Sequence, residues 1–278
     1  MNSNDSNLSR RHLFKMGLGV AGVLLATPAL AKIIDISKVC GGKATTRQVL
    51  GPMFPDDEDV MDPIRESPDL SLPIVEGSDN DLTFVKGRKG KAQGQVIYLR
   101  GQLQGQRPMG EKLESKCEVL AGATLLLWQT NTYGRYNHKG DIDNQTYTHP
   151  RTKRPVDRKH DPHFQYWGRA ITDEQGQYSF KTILPSFYPV YGGFRPAHLH
   201  LMISAPGYPQ MVTQTYFKGA NLQMDHEVNH SLLEKDFILR DPRLSREEQE
   251  QLILEYHEDP TGKITDGLVG TFDIRMIQ

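Results

Sequence analysis

A period of two in polarity runs through residues 197–203 and predicts a β-strand, because successive side chains of a strand point to opposite faces. Its two histidines, His198 and His200, therefore project from the same face. Two neutral imidazoles that converge on one point supply half of a metal site, although two solvent-facing histidines would give the same pattern. The other face carries the apolar side chains Ala197, Leu199, Leu201 and Ile203.

Other segments of the chain also have the patterns of short strands. The segment 123–129 is apolar on both faces, which indicates a central strand. Residues 170–172 and 178–182 flank a turn and predict a β-hairpin. Many short strands without alternating helices are typical of an all-β fold, here a β-sandwich with few short helices. Further strands are predicted at residues 96–101, 211–217 and 271–275.

One helix is predicted near the end of the chain. Ser245 and Glu248 have the spacing of a capping box, which marks a helix start, and the helix is expected over residues 247–257. An apolar stripe supports this helix through Leu252, Ile253 and Tyr256.

The first 31 residues have the order of a signal peptide. A basic region with paired arginines, Arg10 and Arg11, precedes an apolar run at residues 16–26. An Ala-x-Ala cleavage site follows at residues 29–31. The arginine pair indicates twin-arginine export. A membrane anchor is the alternative, but the run is short and Gly-rich for about 30 Å of hydrocarbon. We therefore expect a periplasmic or extracellular protein without stable membrane insertion after cleavage.

The rest of the chain divides into an arm and one domain. Residues 32–90 predict an irregular N-terminal arm, because five prolines interrupt it and an acidic cluster occupies 56–59. Residues 91–278 are expected to form the β-sandwich domain that carries the site. The arm would wrap a surface or a partner subunit, and we expect a homo-oligomer, a dimer or larger.

The charge and composition of the chain exclude some classes of function. The chain of 278 residues has a net charge of −1 and lacks a basic run with interleaved aromatics, so no nucleic-acid partner is expected. Its two cysteines, Cys40 and Cys117, could pair in an oxidising compartment, and the sequence leaves this open. The basic loop 137–161, which includes Arg158, is interpreted as solvated or as attracting a carboxylated aromatic.

Six motifs occur in a fixed order: LGPMFP at 50–55, WQ at 128–129, GRYNH at 134–138, TDEQGQYSF at 172–180, PSFYP at 185–189 and RPAHLH at 195–200. This ordered set resembles the intradiol ring-cleavage dioxygenases, in particular the iron-bearing β subunit of protocatechuate 3,4-dioxygenase. The resemblance covers most of the chain after residue 31. It implies an enzyme that uses O2 to cleave a catechol-type aromatic diol between its two hydroxylated carbons, giving a muconate-type diacid.

The resemblance also implies a ligand set for a non-haem Fe(III). The matching positions are Tyr136, Tyr188, His198 and His200. Phenolates are hard anionic donors that suit a trivalent iron, and a bound cation favours the ionised phenol at neutral pH.

Further roles follow from the same resemblance. Tyr188 matches the tyrosine that leaves when the catechol binds and can take a catechol proton. Arg195 matches a guanidinium that stabilises charge on the ring, and Gln214 matches a glutamine near the same point. The pocket candidates are Trp128, Val190 and Tyr191. Val190 stands where relatives that take protocatechuate usually carry tryptophan, so the pocket beside the substrate ring is expected to differ from theirs.

Two alternatives remain at this point. A copper or zinc site on a β-sandwich could use the H-x-H strand, and it predicts further histidine ligands in place of tyrosines. A secreted transthyretin-like binding module could contain the segment 172–180, and it predicts no catalytic metal and no O2 uptake.

Overall fold

The structure is a computed structural model that describes residues 43–55, 78–108, 115–141 and 146–278. The predicted signal peptide, the acidic cluster at 56–59 and Cys40 lie outside these residues. Cys117 is disulfide-bonded, and Cys40 is the other cysteine of the sequence. Within the described ranges, no helix combines the length and the apolar character needed to cross a bilayer.

The described residues form strands and two α-helices. The strands are β1 (Val96–Pro108), β2 (Ser115–Val119), β3 (Thr124–Trp128), β4 (Thr146–Thr148), β5 (Pro155–Asp157), β6 (Trp167–Ile171), β7 (Gln177–Ile183), β8 (Tyr188–Val190), β9 (Gly193–Arg195), β10 (His198–Ser204), β11 (Met211–Lys218), β12 (Ile253–His257), β13 (Leu268–Thr271) and β14 (Ile274–Ile277). The helices are α1 (His226–Leu233) and α2 (Arg246–Glu250).

Ten strands form one curled sheet, in the order β14-β1-β13-β12-β11-β10-β3-β6, with β2 and β7 also paired to β1. Two small pairs, β4–β5 and β8–β9, stand apart from it. Apolar side chains from distant parts of the sheet, such as Leu99, Leu127 and Leu201, belong to one buried core. The predicted all-β sandwich is confirmed, and burial of this shared core is the main force that closes it.

The strand at 123–129 is central, as its apolar pattern predicts. In the structure it is β3, which pairs with β10 on one side and with β6 on the other. The histidine-bearing β10 is also internal, because its other edge pairs with β11. Backbone hydrogen bonds on both edges fix the position of β10 in the sheet.

The predicted hairpin at 170–182 is wrong in its strand pairing. The turn itself forms, since the N–H of Asp173 donates to Gln177 O over 3.1 Å. However, β6 pairs with β3, whereas β7 pairs with β1. The segment is therefore a corner that connects two parts of the sheet, because long-range pairing determines where each strand goes.

The predicted helix at 247–257 is correct only in its start. Ser245 and Glu248 form the capping box, but α2 ends at Glu250. The apolar residues that follow belong to β12, where Ile253 pairs opposite Tyr216 and Tyr256 stacks on Phe217. Burial in the sheet overrides the helical spacing of this stripe. The sequence also missed α1, which Asp225 caps by accepting the N–H of Val228.

The predicted closing strand at 271–275 is divided. β13 ends at Thr271 and β14 begins at Ile274, and both run parallel to the long strand β1. Phe272 lies between them, and its N–H donates to Arg100 O over 2.8 Å. The break lets the chain pair with two successive parts of β1.

Candidate active site

The two histidines of the alternating segment lie side by side in the large sheet. His200 stands opposite Trp128 of β3 and Gln214 of β11. The Nε2 atoms of His198 and His200 are 3.0 Å apart, and both side chains are buried. The sheet therefore directs the two imidazoles to one point.

Tyr136 reaches the same point from the loop that follows β3. Its Oη lies 3.2 Å from His200 Nε2 and 3.4 Å from His198 Nε2. The N–H of Tyr136 donates to Asp141 Oδ2 over 2.7 Å, and Arg158 Nη2 donates to the same oxygen over 2.7 Å. A buried ion pair thus holds the backbone of the tyrosine loop.

Tyr188 completes the cluster from the small β8–β9 pair. Its ring meets that of Tyr136 edge to face, with centroids 5.2 Å apart, and lies 5.6 Å from the ring of His198. None of the four side chains, including His200, is more than 6% exposed. The four donor groups therefore form a cluster from which bulk water is largely excluded.

Burial sets the protonation of this cluster in the protein alone. Burial, followed by Arg195, lowers the pKa of His198 well below its ordinary value, and burial followed by His198 does the same for His200. Burial, followed by the charge of Tyr188, raises the pKa of Tyr136 well above its ordinary value, and burial also raises the pKa of Tyr188. Both imidazoles are therefore neutral and both phenols protonated at neutral pH.

The donor set fits a metal ion. His198 Nδ1 lies 2.7 Å from Pro196 O, so this nitrogen must carry the proton, and Nε2 presents its lone pair to the cluster. Metal-binding histidines commonly make such an outer hydrogen bond. The Nδ1 atom of His200 has no hydrogen-bond partner in the described part of the chain. A cation would favour ionised phenols and reverse the effect of burial on Tyr136 and Tyr188.

Arg195 lies directly beside the donor cluster. Its Nη1 donates to His198 Nε2 over 3.0 Å, and its Nε donates to Asp236 Oδ2 over 2.9 Å. Burial alone would lower the pKa of Arg195, but its contacts with Tyr216, Tyr188 and Asp236 outweigh burial and raise it. The guanidinium is therefore a buried positive charge at the edge of the site.

Gln214 connects Arg195 to the N-terminal arm. Its Oε1 accepts from Arg195 Nη2 over 2.9 Å, and its Nε2 donates to Val49 O over 3.0 Å. Nearby, the hydroxyl of Tyr216 donates to Gln48 Oε1 over 3.1 Å. Residues of the arm thus take part in the polar network around the guanidinium.

The three pocket candidates have different positions. The ring of Trp128 is buried and stacks on His200, with centroids 4.7 Å apart and planes 13° apart. Val190 packs partly buried against the cluster. Tyr191 is fully exposed at the turn between β8 and β9. The structure therefore places the Tyr191 side chain in solvent and does not bring it to the buried donor cluster.

The arm also covers the cluster. Phe54 meets Trp128 edge to face, with ring centroids 5.1 Å apart, and Met53 packs against the same group. Gly51 has a φ of +78°, and a Cβ placed on it would lie 3.3 Å from His200 Cε1. The Gly-Pro-Met-Phe segment therefore lies against the imidazole and indole rings and encloses the site.

Two residues at the site were missed by sequence reasoning. Arg158 was placed in a solvated basic loop, but it is only 2% exposed and also binds Gly134 O. Asp236, the partner of Arg195, lies in a turn after α1 that carries no recognisable motif. Only the fold brings these charges to the site, so no local signal could have revealed them.

Known proteins resemble this chain in sequence and in fold. A family model described as Dioxygenase matches residues 66–276. The protocatechuate 3,4-dioxygenase beta chain of Burkholderia cepacia is 32% identical over 178 residues, which are 60% of this chain and 63% of that protein. Catechol 1,2-dioxygenase of Candida albicans is 31% identical over 121 residues, which are 38% of this chain and 34% of that protein.

A solved structure agrees with these matches at the level of the fold. The hydroxyquinol 1,2-dioxygenase of Pseudomonas putida DLL-E4 superposes with a TM-score of 0.50 at 20% identity, covering 87% of this chain and 69% of its own. The family match extends over most of the chain and includes all four residues of the donor cluster. The chain therefore belongs to the intradiol ring-cleavage dioxygenase family.

Proposed function

We propose that this protein is an exported non-haem Fe(III) dioxygenase that cleaves a catechol-type, protocatechuate-like aromatic. The bond between the two hydroxylated carbons would break, and both atoms of O2 would enter a muconate-type diacid. The observation that carries the proposal is the convergence of Tyr136, Tyr188, His198 and His200 in one buried cluster beside Arg195.

The four residues of the cluster would hold the iron. A bound Fe(III) would supply Lewis acidity, which would favour ionised phenols and would polarise a catechol bound beside it. The two histidines would bind as neutral imidazoles, the form that their burial already imposes. The two tyrosines would supply the negative charge that suits a trivalent ion.

The neighbouring side chains have roles in substrate chemistry. Arg195 would stabilise negative charge as it develops on the ring, an effect of about 3 kcal/mol for one preorganised donor. The Oη atom of Tyr188 would hold the proton released by a catechol hydroxyl. Tyr188 suits this role because it lies in the small β8–β9 pair, outside the large sheet that holds the histidines.

Oxygen uptake with a panel of substrates tests the reaction. We expect the iron-loaded protein to consume O2 with at least one of catechol, protocatechuate, hydroxyquinol and chlorocatechols. The product, identified by mass spectrometry and NMR, should be opened between the hydroxyl-bearing carbons. Ring opening outside the two hydroxyls, or no uptake with any member, would contradict the proposal.

The visible spectrum of the same preparations tests the ligands. Tyr136→Phe and Tyr188→Phe should each weaken or shift the tyrosinate–Fe(III) band, whereas Tyr191→Phe, at an exposed tyrosine, should leave it unchanged. A metal held with no tyrosinate band would favour a copper or zinc site. A protein that takes up no metal would favour the binding module.

Export and assembly are further parts of the proposal. The paired arginines, apolar run and Ala-x-Ala cleavage site of residues 9–31 support twin-arginine export. Fractionation of cells that express the full chain should place the mature protein outside the cytoplasm, and Arg10→Lys with Arg11→Lys should retain it inside.

A homo-oligomer is proposed from the arm, and light scattering of the mature chain would measure its mass.

A further inference from the structure

Hydrogen bonds from neighbouring side chains hold the Nε and Nη2 groups of the Arg195 guanidinium. Asp236 binds it in a forked arrangement, with Nε–Oδ2 at 2.9 Å and Nη2–Oδ1 at 3.1 Å. Nη2 also lies 2.9 Å from Gln214 Oε1 and 3.0 Å from Tyr216 Oη. The Nη1 edge is left facing His198 Nε2 at 3.0 Å. A forked carboxylate fixes both the plane and the direction of a guanidinium.

Asp236 is itself held firmly. Its side chain is buried, and its Oδ1 accepts the N–H groups of Leu239 at 2.8 Å and Ile238 at 3.2 Å. The N–H of Arg240 donates to the carbonyl of Asp236 over 2.8 Å, which closes the turn. Leu239 is fully buried in the hydrophobic core. The carboxylate therefore has a position set by the core and by the turn, independently of the guanidinium.

The charge of Asp236 also has a consequence for the site. A buried guanidinium 3.0 Å from a metal-binding nitrogen would repel a trivalent ion if nothing offset it. The adjacent carboxylate offsets the positive charge while leaving the donors of Nη1 in place. Removing the carboxylate would thus change both the direction of Arg195 and the field at the donor cluster.

We propose that Asp236 is a positioning residue for the ring-cleavage reaction, which acts by holding the Nη1 edge of Arg195 toward the donor cluster. This inference rests on the proposed function. Among the described residues, the Asp236 carboxylate accepts hydrogen bonds from Arg195, Tyr216, Ile238 and Leu239 and from none of the four donor side chains. Its hydrogen bonds therefore reach the donor cluster only through Arg195, whereas its charge also acts on Tyr188 directly.

A double-mutant cycle tests this dependence. In iron-loaded protein, Asp236→Asn should lower kcat about 10- to 100-fold, the usual range for an outer partner of a metal site, with a change in KM below about 3-fold. In an Arg195→Lys background, the same substitution should lower kcat by less than about 3-fold, because there is no guanidinium left to hold. Asp236→Glu should recover part of the loss. Lys235→Gln, at the exposed neighbouring position, should match wild type.

A second measurement does not depend on turnover. In metal-free protein, the ¹⁵N spectrum should contain a slowly exchanging arginine Nε–H signal that disappears in Arg195→Lys. This signal should exchange rapidly in Asp236→Asn and stay protected in Lys235→Gln. If Asp236→Asn does not fold, Asp236→Glu supplies both comparisons, because it keeps the charge and displaces the carboxylate.

The outcomes separate the role of Asp236 from the function. Equal losses of kcat from Asp236→Asn in the wild-type and Arg195→Lys backgrounds would overturn the positioning role and leave the dioxygenase function standing. An Nε–H signal of Arg195 that stays protected in Asp236→Asn would also overturn it. A wild-type protein that oxidises no catechol would overturn the function and the role together.

Discussion

The histidine half and the tyrosine half of the donor cluster are held in different ways. His198 and His200 lie on β10, whose backbone is hydrogen-bonded to a strand on each edge. Tyr136 lies in a loop outside the large sheet and depends on the side chains of Asp141 and Arg158. Many backbone hydrogen bonds hold a paired strand, so the loss of one of them changes its position little. A buried ion pair, in contrast, is lost when either partner is removed. Substitutions that affect the tyrosine half should therefore disturb the donor cluster more than substitutions that affect the histidine half.

The largest effect should come from Arg158→Met. Arg158 is buried, and it binds both Asp141 Oδ2 and the carbonyl of Gly134. Its loss leaves the carboxylate of Asp141 buried without its cation, at a cost of about 3–5 kcal/mol in the free energy of unfolding. Urea unfolding measures this cost, and the tyrosinate band of the iron-loaded variant should weaken.

A matched control comes from the surface. Arg151→Met breaks an ion pair with Asp225 in which the arginine is 53% exposed, and it should cost about 0–1 kcal/mol. If Arg158→Met costs no more than this control, the tyrosine loop does not depend on its buried ion pair.

A pH dependence of stability should come next in size, through His160. Arg135 Nε donates to His160 Nε2 over 3.0 Å, and burial followed by Arg135 lowers the pKa of His160 from 6.5 to about 4. Between these values the unfolded chain binds more protons than the folded one, so stability is lost as the pH falls from about 6.5 to 4. The loss from this one group should be at most about 3 kcal/mol.

The measurement is the difference between unfolding curves of wild type and His160→Gln at pH 7 and pH 4.5. Glutamine keeps an acceptor for Arg135 but does not take up the proton, so the variant should lose less stability at the acidic pH. His230→Gln, at an exposed histidine, should follow wild type. Parallel curves for wild type and His160→Gln would contradict the prediction.

The smallest effect should come from the histidine half, through Gly51→Ala. Gly51 has a φ of +78°, so alanine there should cost about 1–2 kcal/mol in backbone strain. Its Cβ would also press on His200 Cε1 from 3.3 Å. Gly87→Ala provides a control, because Gly87 has a φ of +85° with no atom near the new Cβ.

The difference between the two glycine variants isolates the contact with His200. We expect similar losses in thermal stability but a shifted visible band only in Gly51→Ala. Indistinguishable spectra for the two iron-loaded variants would show that the added contact between the arm and His200 does not influence the donor cluster.

The sequence by itself determined the residue types of the site and their local geometry. The alternation at 197–203 determined that His198 and His200 share a face, because side-chain direction in a strand follows from backbone geometry alone. The capping box at Ser245 marked the start of α2 for the same reason, since a cap is a local hydrogen bond. Motif order added Tyr136 and Tyr188 to the cluster.

The tertiary structure alone decided which distant segments meet. Asp236 binds Arg195, which lies 41 residues earlier in the chain. Gly51, in the N-terminal arm, lies against His200. The stripe at 252–256 became strand β12 because burial against β11 and β13 outweighed its helical spacing. Such contacts depend on shared core burial and on strand pairing, and neither leaves a periodic pattern in the sequence around the residues that it joins.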